Sequence, residues 1–250
     1  WHGPACGEPH AGPCHGHTVH VANTSLTAGF GEPPAMSHPG SSQPAITVLR
    51  ATGLGFGFAK QAALFKDFSL RLPPGVTWVG GDESTGKTTL LRLLAGELPT
   101  QSGNLQINGL SLADKAQAYR SQVFWVDPRT QVFDALTPQA YWEGVGKQYP
   151  AFDGALLSEL AEAFALAPHL PKSLTMLSTG TKRKVFLAAA FASGAAVTLL
   201  DEPFAALDKT STGFVLEVLQ EAAVHPSRAW LVADYVAPRG VKLASTIALV

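Results

Sequence analysis

The segment at residues 75–96 constrains the fold of this chain more than any other, and it reads GVTWVGGDESTGKTTLLRLLAG. Residues 76–79 form a short β-branched and aromatic run, which is typical of a buried strand. Leucines at helical spacing follow at residues 90–94, and Gly96 stands where a helix C-cap is expected. Between them lies the pattern Gly-x-x-x-x-Gly-Lys-Thr, residues 81–88. The segment therefore predicts a strand, a phosphate-binding loop (P-loop) and a helix.

The residue types of this loop predict nucleotide binding. Its glycines let backbone N–H groups approach phosphates, and the start of the following helix attracts anions. Lys87 is expected to reach the β- and γ-phosphates, and the Thr88 hydroxyl to bind Mg²⁺. The alternative is a glycine-rich turn with an exposed lysine, but the flanking strand and helix favour a nucleotide site. The predicted cofactor-binding residues of the loop are Gly81, Asp82, Glu83, Ser84, Thr85, Gly86, Lys87, Thr88 and Thr89.

A second segment, VTLLDEPFAALD at residues 197–208, is a hydrophobic strand that ends in two adjacent carboxylates. Asp201 is expected to hold Mg²⁺ together with Thr88, and Glu202 to orient or deprotonate the attacking water. Alone, the Asp-Glu-Pro triplet could simply close a strand with a turn. Its occurrence together with the P-loop favours a catalytic role, with ATP and Mg²⁺ as the bound groups.

A third segment, LSTGTKRKVFLAAAF at residues 177–191, has the pattern of a helix start. Hydroxyl groups and glycine at residues 178–180 precede an apolar stripe, and free N–H groups there could form a second anion site. The alternative is an ordinary capped helix with solvated cations at residues 182–184. Taken alone, the segment favours that alternative.

Together these segments resemble the nucleotide-binding domain of ATP-binding cassette (ABC) proteins over about residues 46–250. Residues 177–180 stand at the family's signature motif, and Asp201 follows Ser178 at the family's usual separation. Residues 206–208 match the D-loop, and Phe58 falls where an aromatic ring stacks on adenine.

The resemblance implies an α/β fold: a P-loop NTPase core with a parallel sheet, an N-terminal antiparallel β portion from residues 47–72, and an inserted α-helical subdomain at about 136–176. It also implies two domains that face each other head to tail, as a homo- or heterodimer. Each ATP then lies between one P-loop and the partner's signature helix. The resemblance assigns Ser178, Gly180 and Asp208 to nucleotide binding, with Ser178 serving an ATP on the other subunit.

Several positions depart from the family's pattern. Ser84 and Thr179 replace glycines, and Thr181 replaces a glutamine. The Q-loop glutamine is expected after a strand at 123–126, but Asp-Pro stands there and Gln131 comes three residues late.

Asp234 occupies the place of the family's switch histidine, so the resemblance assigns it to the nucleotide site next to the γ-phosphate. This departure has the largest predicted consequence. A histidine can donate a hydrogen bond to the γ-phosphate, whereas an ionised aspartate cannot and would repel it. The sequence therefore predicts an ATPase that retains nucleotide binding but turns over slowly.

Composition limits the partners. Charged residues make up 15% of the chain and the formal net charge is −1, so no nucleic-acid footprint is predicted.

The uncharged run at 185–200 would give a helix of about 24 Å, short of a hydrocarbon core of about 30 Å. No direct membrane span is therefore predicted, and the resemblance implies a separate transmembrane permease and a cytoplasmic location on the inner face of the membrane.

Residues 1–45 are predicted to form a disordered leader, because they contain fourteen Gly and Pro residues but only two charged ones. No basic region followed by an apolar run is present, so no secretory signal is predicted. The alternative is metal binding. Its candidate ligands are Cys6, Cys14, His2, His10, His15, His17, His20 and His38.

Three functions remain open at this point. The first is an energy-coupling ATPase subunit that docks on a separate permease. The second is a soluble ABC ATPase that acts as a switch without a permease. The third is a nucleotide-binding adaptor, or the degenerate half of a heterodimer, which would not hydrolyse ATP itself.

Overall fold

Two β-sheets organise residues 46–249, the part of the chain that the computed structural model describes. The predicted leader and its alternative metal ligands lie outside these residues. The strands are β1 (Leu49–Phe56), β2 (Phe65–Leu72), β3 (Gly75–Gly80), β4 (Ser102–Ile107), β5 (Leu110–Ser111), β6 (Val123–Phe124), β7 (Val197–Asp201), β8 (Ala229–Ala233) and β9 (Leu243–Ala248). The helices are α1 (Lys87–Leu94), α2 (Ala116–Arg120), α3 (Pro138–Gln148), α4 (Gly154–Ala163), α5 (Thr179–Ala192) and α6 (Lys209–Ala222).

The larger sheet is parallel, with the strand order β6-β7-β8-β3-β9 among the described residues. Every residue of β7 and β8 is buried, which explains why both strands are almost continuously apolar in sequence. Since the carboxyl ends of parallel strands meet at one edge, the loops that follow β3, β6, β7 and β8 converge there. This edge therefore brings together the P-loop, the carboxylate pair and Asp234.

The smaller sheet is antiparallel, with the order β2-β1-β4-β5. Leu49 of β1 pairs with Leu72 of β2 and with Ile107 of β4, and all three side chains are buried. The leucines of α1 pack between this sheet and the parallel one. The predicted α/β fold, with a parallel core and an N-terminal antiparallel portion, is confirmed.

The segment between β6 and α5 is helical and consists of α3, α4 and two short 3₁₀ turns, Ala167–His169 and Leu174–Met176. Trp142 donates a hydrogen bond from Nε1 to the carbonyl oxygen of Val185 (3.0 Å), and Tyr149 donates one to that of Val123 (2.8 Å). Burial raises the pKa of Tyr149 to about 12, so this phenol remains a donor. The boundaries 136–176 for a helical subdomain stay a prediction.

The long uncharged run at 185–200 divides into the end of α5 and strand β7. Gly194 separates them with φ of 68°, a left-handed value that favours glycine. Across the described part of the chain, none of the helices combines the length and the apolar character that crossing a bilayer requires.

The turn before β8 contains a histidine whose protonation should reduce stability. His225 Nδ1 accepts hydrogen bonds from the backbone N–H groups of Ser227 (3.2 Å) and Arg228 (3.0 Å). Burial, and then the charge of Arg228, lower its pKa. Because the folded-state pKa lies below the unfolded value of about 6.5, the unfolded chain binds the proton first and stability falls as the pH drops below that value.

We expect acidification from pH 7.5 to 5.5 to lower the melting temperature of the wild type more than that of His225→Asn, by about 1–2 °C. An asparagine oxygen can accept from the same turn without titrating. Equal falls in both proteins would contradict this account.

Candidate functional site

The P-loop edge of the parallel sheet opens into a cleft of about 560 Å³. It contains the residues predicted for phosphate binding and for adenine stacking, and several that the sequence did not single out. The lining residues are Phe58, Gln61, Ala62, Leu64, Glu83, Ser84, Thr85, Gly86, Lys87, Thr88, Thr89, Arg129, Glu202 and Tyr235.

The P-loop has the backbone that its glycines predict. Gly86 is the N-cap of α1 with φ of 93°, and a Cβ there would come within 2.9 Å of the Leu64 side chain. Ser84, at a position where a glycine is usual, adopts φ of 63°. The loop therefore still requires a left-handed conformation at this position, and the serine adopts it at a cost of about 1–2 kcal/mol.

Lys87 is 6% exposed and turns back onto the loop. Its Nζ donates to the carbonyl oxygens of Gly81 (2.6 Å) and Asp82 (2.7 Å). The same ammonium lies 4.2 Å from the centroid of the Tyr235 ring, a cation–π contact. Phosphate oxygens would offer this ammonium stronger acceptors than the two carbonyls.

The two predicted Mg²⁺ ligands are in contact: Thr88 Oγ1 donates to Asp201 Oδ2 at 2.7 Å. The other carboxylate oxygen of Asp201, Oδ1, is buried and has no hydrogen-bond partner among the described residues. Burial raises the pKa of Asp201, while the hydrogen bond from Thr88 acts in the opposite direction. A hydroxyl next to a partly unsatisfied carboxylate fits a hard cation that prefers oxygen ligands.

Glu202 lines the cleft and has an unusual backbone, with φ of 44°. Its N–H donates to the carbonyl oxygen of Ala233 (2.8 Å), which ties the end of β7 to the end of β8. Arg183 of α5 donates to the carbonyl oxygens of Glu202 and of Asp201. Helix α5 therefore directly holds the backbone of the predicted catalytic pair.

Phe58 lines the cleft with 44% of its surface exposed, and its ring stands edge-on against Phe56 at 5.1 Å. An exposed ring supported from behind offers a face to a planar base. The structure thus brings Phe58 together with the P-loop, Thr88 and Glu202.

The predicted signature and D-loop residues lie elsewhere, since Ser178, Gly180 and Asp208 are not among the residues that line the cleft. Ser178 caps α5 and accepts a hydrogen bond from the Thr181 N–H (3.2 Å). Asp208 caps α6 and accepts a 2.6 Å hydrogen bond from Lys184, and this bond is the largest of the effects that lower its pKa. The site assigned to an ATP on a second subunit is therefore separate from the cleft of this chain.

The alternative of solvated cations at the start of α5 is wrong. Lys182 pairs with Asp134, Lys184 pairs with Asp208, and Arg183 is bonded to the Glu202 carbonyl. Each of these partners comes from a different segment. The start of α5 is consequently tied to the helical segment, to β7 and to α6.

Gly180 allows α5 to approach the D-loop. A Cβ at this position would overlap the carbonyl oxygen of Ala206, whose own φ is 61°. We expect Gly180→Ala to lower the free energy of unfolding by about 1–3 kcal/mol, because backbone must move to make room.

Urea unfolding measures this effect, and Gly213→Ala in α6 is the matched control, since a Cβ there meets nothing within 4 Å. The control should be neutral or stabilising by about 0.5–1 kcal/mol. Equal stability of Gly180→Ala and the wild type would show that the close approach is unimportant.

Asp234 follows β8 as predicted, but its side chain is not among those that line the cleft. Its Oδ1 accepts from the Tyr235 N–H (2.7 Å), and its N–H donates to the Val79 carbonyl (3.1 Å). Burial raises its pKa, the bond from Tyr235 opposes this, and the charge of Glu202 raises it further. The next residue, Tyr235, faces the cleft instead.

Sequence reasoning missed five cleft residues, and two of them, Arg129 and Tyr235, follow strands of the parallel sheet; the others are Gln61, Ala62 and Leu64. Gln131, the late candidate for the Q-loop, is exposed and does not line the cleft. The strands before Arg129 and Tyr235 are β6 and β8, which end at the P-loop edge. Loops that follow parallel strands meet at one edge of the sheet, and this was the signal that could have indicated both residues. It does not predict which side chain of a loop turns into the cleft.

Comparisons with known proteins agree with this geometry. The ABC transporter family model matches residues 65–205. The cytochrome c biogenesis ATP-binding export protein CcmA of Pseudomonas fluorescens is 32% identical over 171 residues, which cover 68% of this chain and 79% of that protein. The ABC-type transporter ATP-binding protein EcsA of Bacillus subtilis is 26% identical over 181 residues, which cover 71% of this chain and 73% of that protein.

Solved structures show the same fold. An ATP binding subunit of an ABC transporter superposes with a TM-score of 0.72 at 24% identity, covering 81% of this chain and 86% of that one. CbiO1 of Clostridium perfringens, part of the ABC transporter complex cbiONQ, superposes with a TM-score of 0.58 at 20% identity. The superposition covers 76% of this chain and 79% of that one. With the family match over more than half of its length, this chain belongs to the ABC transporter family, whose ATP-binding proteins it resembles in fold and in sequence.

Proposed function

We propose that this chain is the ATP-hydrolysing subunit of an ABC transporter whose membrane-spanning domain is a separate polypeptide. The observation that carries the proposal is the contact between Thr88 and Asp201, next to Glu202 in the cleft that the P-loop and Phe58 line. Family members are ATPases in general, and the residues needed for that chemistry are present here.

In the proposed reaction, ATP and water give ADP and phosphate. The loop N–H groups and Lys87 bind the β- and γ-phosphates, while Thr88 and Asp201 would hold Mg²⁺. The metal, when bound, would neutralise charge that develops on the phosphate oxygens. Glu202 would orient the water and accept its proton as the oxygen attacks the γ-phosphorus.

We place a second nucleotide-binding domain against this one, in a homo- or heterodimer. Ser178, Gly180 and Asp208 lie outside the cleft of their own chain, which supports a role toward an ATP bound on the partner. The link from Arg183 to the Glu202 carbonyl would then connect the two nucleotide sites through α5.

Slow turnover is part of the proposal. Asp234 Oδ1 accepts a hydrogen bond from the Tyr235 N–H. An ionised carboxylate has no proton to donate, so this side chain cannot supply the hydrogen bond that a switch histidine would give to the γ-phosphate.

The relatives support the proposed partner and location. CbiO1 belongs to a transporter complex and CcmA is described as an export protein. By analogy, we place this chain at the cytoplasmic face of a membrane, bound to a permease. The alternatives remain a soluble ABC ATPase switch and a degenerate adaptor that binds ATP without hydrolysing it.

Two measurements test the proposal together. Phosphate release from Mg-ATP should be detectable but slow, below about 1 s⁻¹, against a median of roughly 10 s⁻¹ for enzymes. The second is co-purification from membranes in Mg-ATP, comparing wild type with Glu202→Gln. A membrane-spanning protein that co-purifies with both the wild type and Glu202→Gln supports the function as a transporter subunit. ATP-dependent homodimers without one select the switch, and tight ATP binding without phosphate release selects the adaptor.

A further inference from the structure

The phosphate end of the cleft carries two side chains of unexpected type, Arg129 and Tyr235. Three residues mark this end of the cleft. Lys87 is expected to reach the β- and γ-phosphates, the Thr88 hydroxyl to bind Mg²⁺, and Glu202 to activate the attacking water. Both side chains line the same cleft as these three residues. Tyr235 lies against Lys87, and Arg129 lies near enough to lower the pKa of Asp201, so both belong to the end of the cleft where the terminal phosphate of a nucleotide would lie.

Tyr235 has a free donor in this region. Its ring lies over the Lys87 ammonium at 4.2 Å, and 49% of its surface is exposed. Within residues 46–249 its hydroxyl has no hydrogen-bond partner, although its backbone N–H is held by Asp234. Burial, followed by the negative charge of Glu202, raises the pKa of this phenol, so the group stays protonated and able to donate.

Arg129 brings an unpaired positive charge to the same place. Its N–H donates to Asp127 Oδ1 (2.9 Å), which fixes the turn after β6. In the described part of the chain its guanidinium forms no ion pair, whereas Arg92, Lys182 and Lys184 all do. The guanidinium still lies close enough to act on the carboxyl of Asp201, whose pKa burial raises and the charge of Arg129 lowers.

These observations suit a phosphate ligand. A guanidinium offers planar, charge-assisted hydrogen bonds to phosphate oxygens, and a phenol adds a neutral donor. The cleft already contains two carboxylates, Glu83 and Glu202, yet among the described residues Arg129 pairs with neither. An arginine without an ion pair, in the same cleft as the P-loop lysine, can bind an anion that arrives from solution.

We propose that Arg129 and Tyr235 recognise the γ-phosphate of ATP and thereby make this site distinguish ATP from ADP. The inference rests on the proposed function and adds to it the two donors that replace the missing histidine and glutamine. Tyr235 donates through its hydroxyl and keeps Lys87 at this end of the cleft, while Arg129 supplies charge.

The test is calorimetric titration of the full chain with Mg-ATP and, separately, with Mg-ADP. Arg129→Ala should weaken ATP binding about tenfold and leave ADP binding within twofold. Tyr235→Phe, which keeps the ring over Lys87, should weaken ATP binding about threefold with the same selectivity. Arg239→Ala removes an exposed arginine outside the cleft and should change neither affinity. Melting curves establish that each variant is folded.

The outcomes separate the two proposals. A selective loss of ATP affinity in both variants supports the inference. Equal losses for ATP and ADP, or an unchanged ratio of the two affinities in Arg129→Ala, overturn it while ATP binding by the wild type stands. A wild-type chain that binds neither nucleotide overturns the proposed function and this inference with it.

Discussion

Replacing Glu202 with glutamine is expected to lower the rate of ATP hydrolysis by about 100-fold or more, while ATP affinity changes by less than threefold. The side chain lines the cleft next to the Thr88–Asp201 pair, and its backbone is fixed by Ala233 and Arg183 in a left-handed conformation. Because these backbone contacts fix an unusual conformation, they also fix the direction in which the Glu202 side chain enters the cleft. Glutamine preserves size and hydrogen bonding but cannot accept the proton of the attacking water.

Glu217→Gln is the matched control, because Glu217 is an exposed glutamate of α6 outside the cleft. It should retain the wild-type rate of phosphate release. Equal rates in the wild type and Glu202→Gln would remove Glu202 from the mechanism. A parallel loss of ATP affinity would instead assign Glu202 to binding.

Lys87→Ala is expected to weaken ATP binding by about 100-fold or more. The lysine is nearly fully buried, and its ammonium is held by the carbonyl oxygens of Gly81 and Asp82. A bound nucleotide would replace these neutral acceptors with charged phosphate oxygens, and charge-assisted bonds are roughly twice as strong. Alanine removes the charge and the bonds together, so affinity for ATP and ADP should fall in the same titration.

The same substitution should reduce stability by only about 1–2 kcal/mol, since the two carbonyls that lose their donor lie at the cleft and can bind water. Lys172→Ala, at an exposed lysine, should leave both affinity and stability near the wild-type values. ATP affinity in Lys87→Ala within threefold of wild type would mean that the P-loop does not bind the phosphates.

Local patterns predicted the parts of the site that are continuous in sequence. The strand, loop and helix at 75–96 are found as β3, the P-loop and α1, because apolar periodicity and glycine positions are local properties. The carboxylates after β7 come next to the P-loop because parallel strands direct the loops that follow them to one edge of the sheet. Phe58 enters the same cleft from the antiparallel portion.

Tertiary contacts determined what the sequence could not predict. The cations at the start of α5 look solvated in sequence, yet their partners come from residue 134, from the Glu202 backbone and from Asp208. Asp234 was expected to face the phosphates, but the turn after β8 bonds its carboxylate to the next N–H and directs Tyr235 inward. Which of two neighbouring loop residues faces a cleft depends on backbone angles, and these have no periodic signal.

Photolabelling with 8-azido-ATP tests most directly whether ATP binds in this cleft with its adenine on Phe58. The reactive group sits on the adenine ring, so the account predicts crosslinks to the tryptic peptides at residues 51–60 or 61–66, which contain Phe58 and the neighbouring cleft residues. Excess Mg-ATP should abolish the labelling, and Lys87→Ala should reduce it strongly. Labelling confined to other peptides, or labelling that ATP does not compete, would contradict the account.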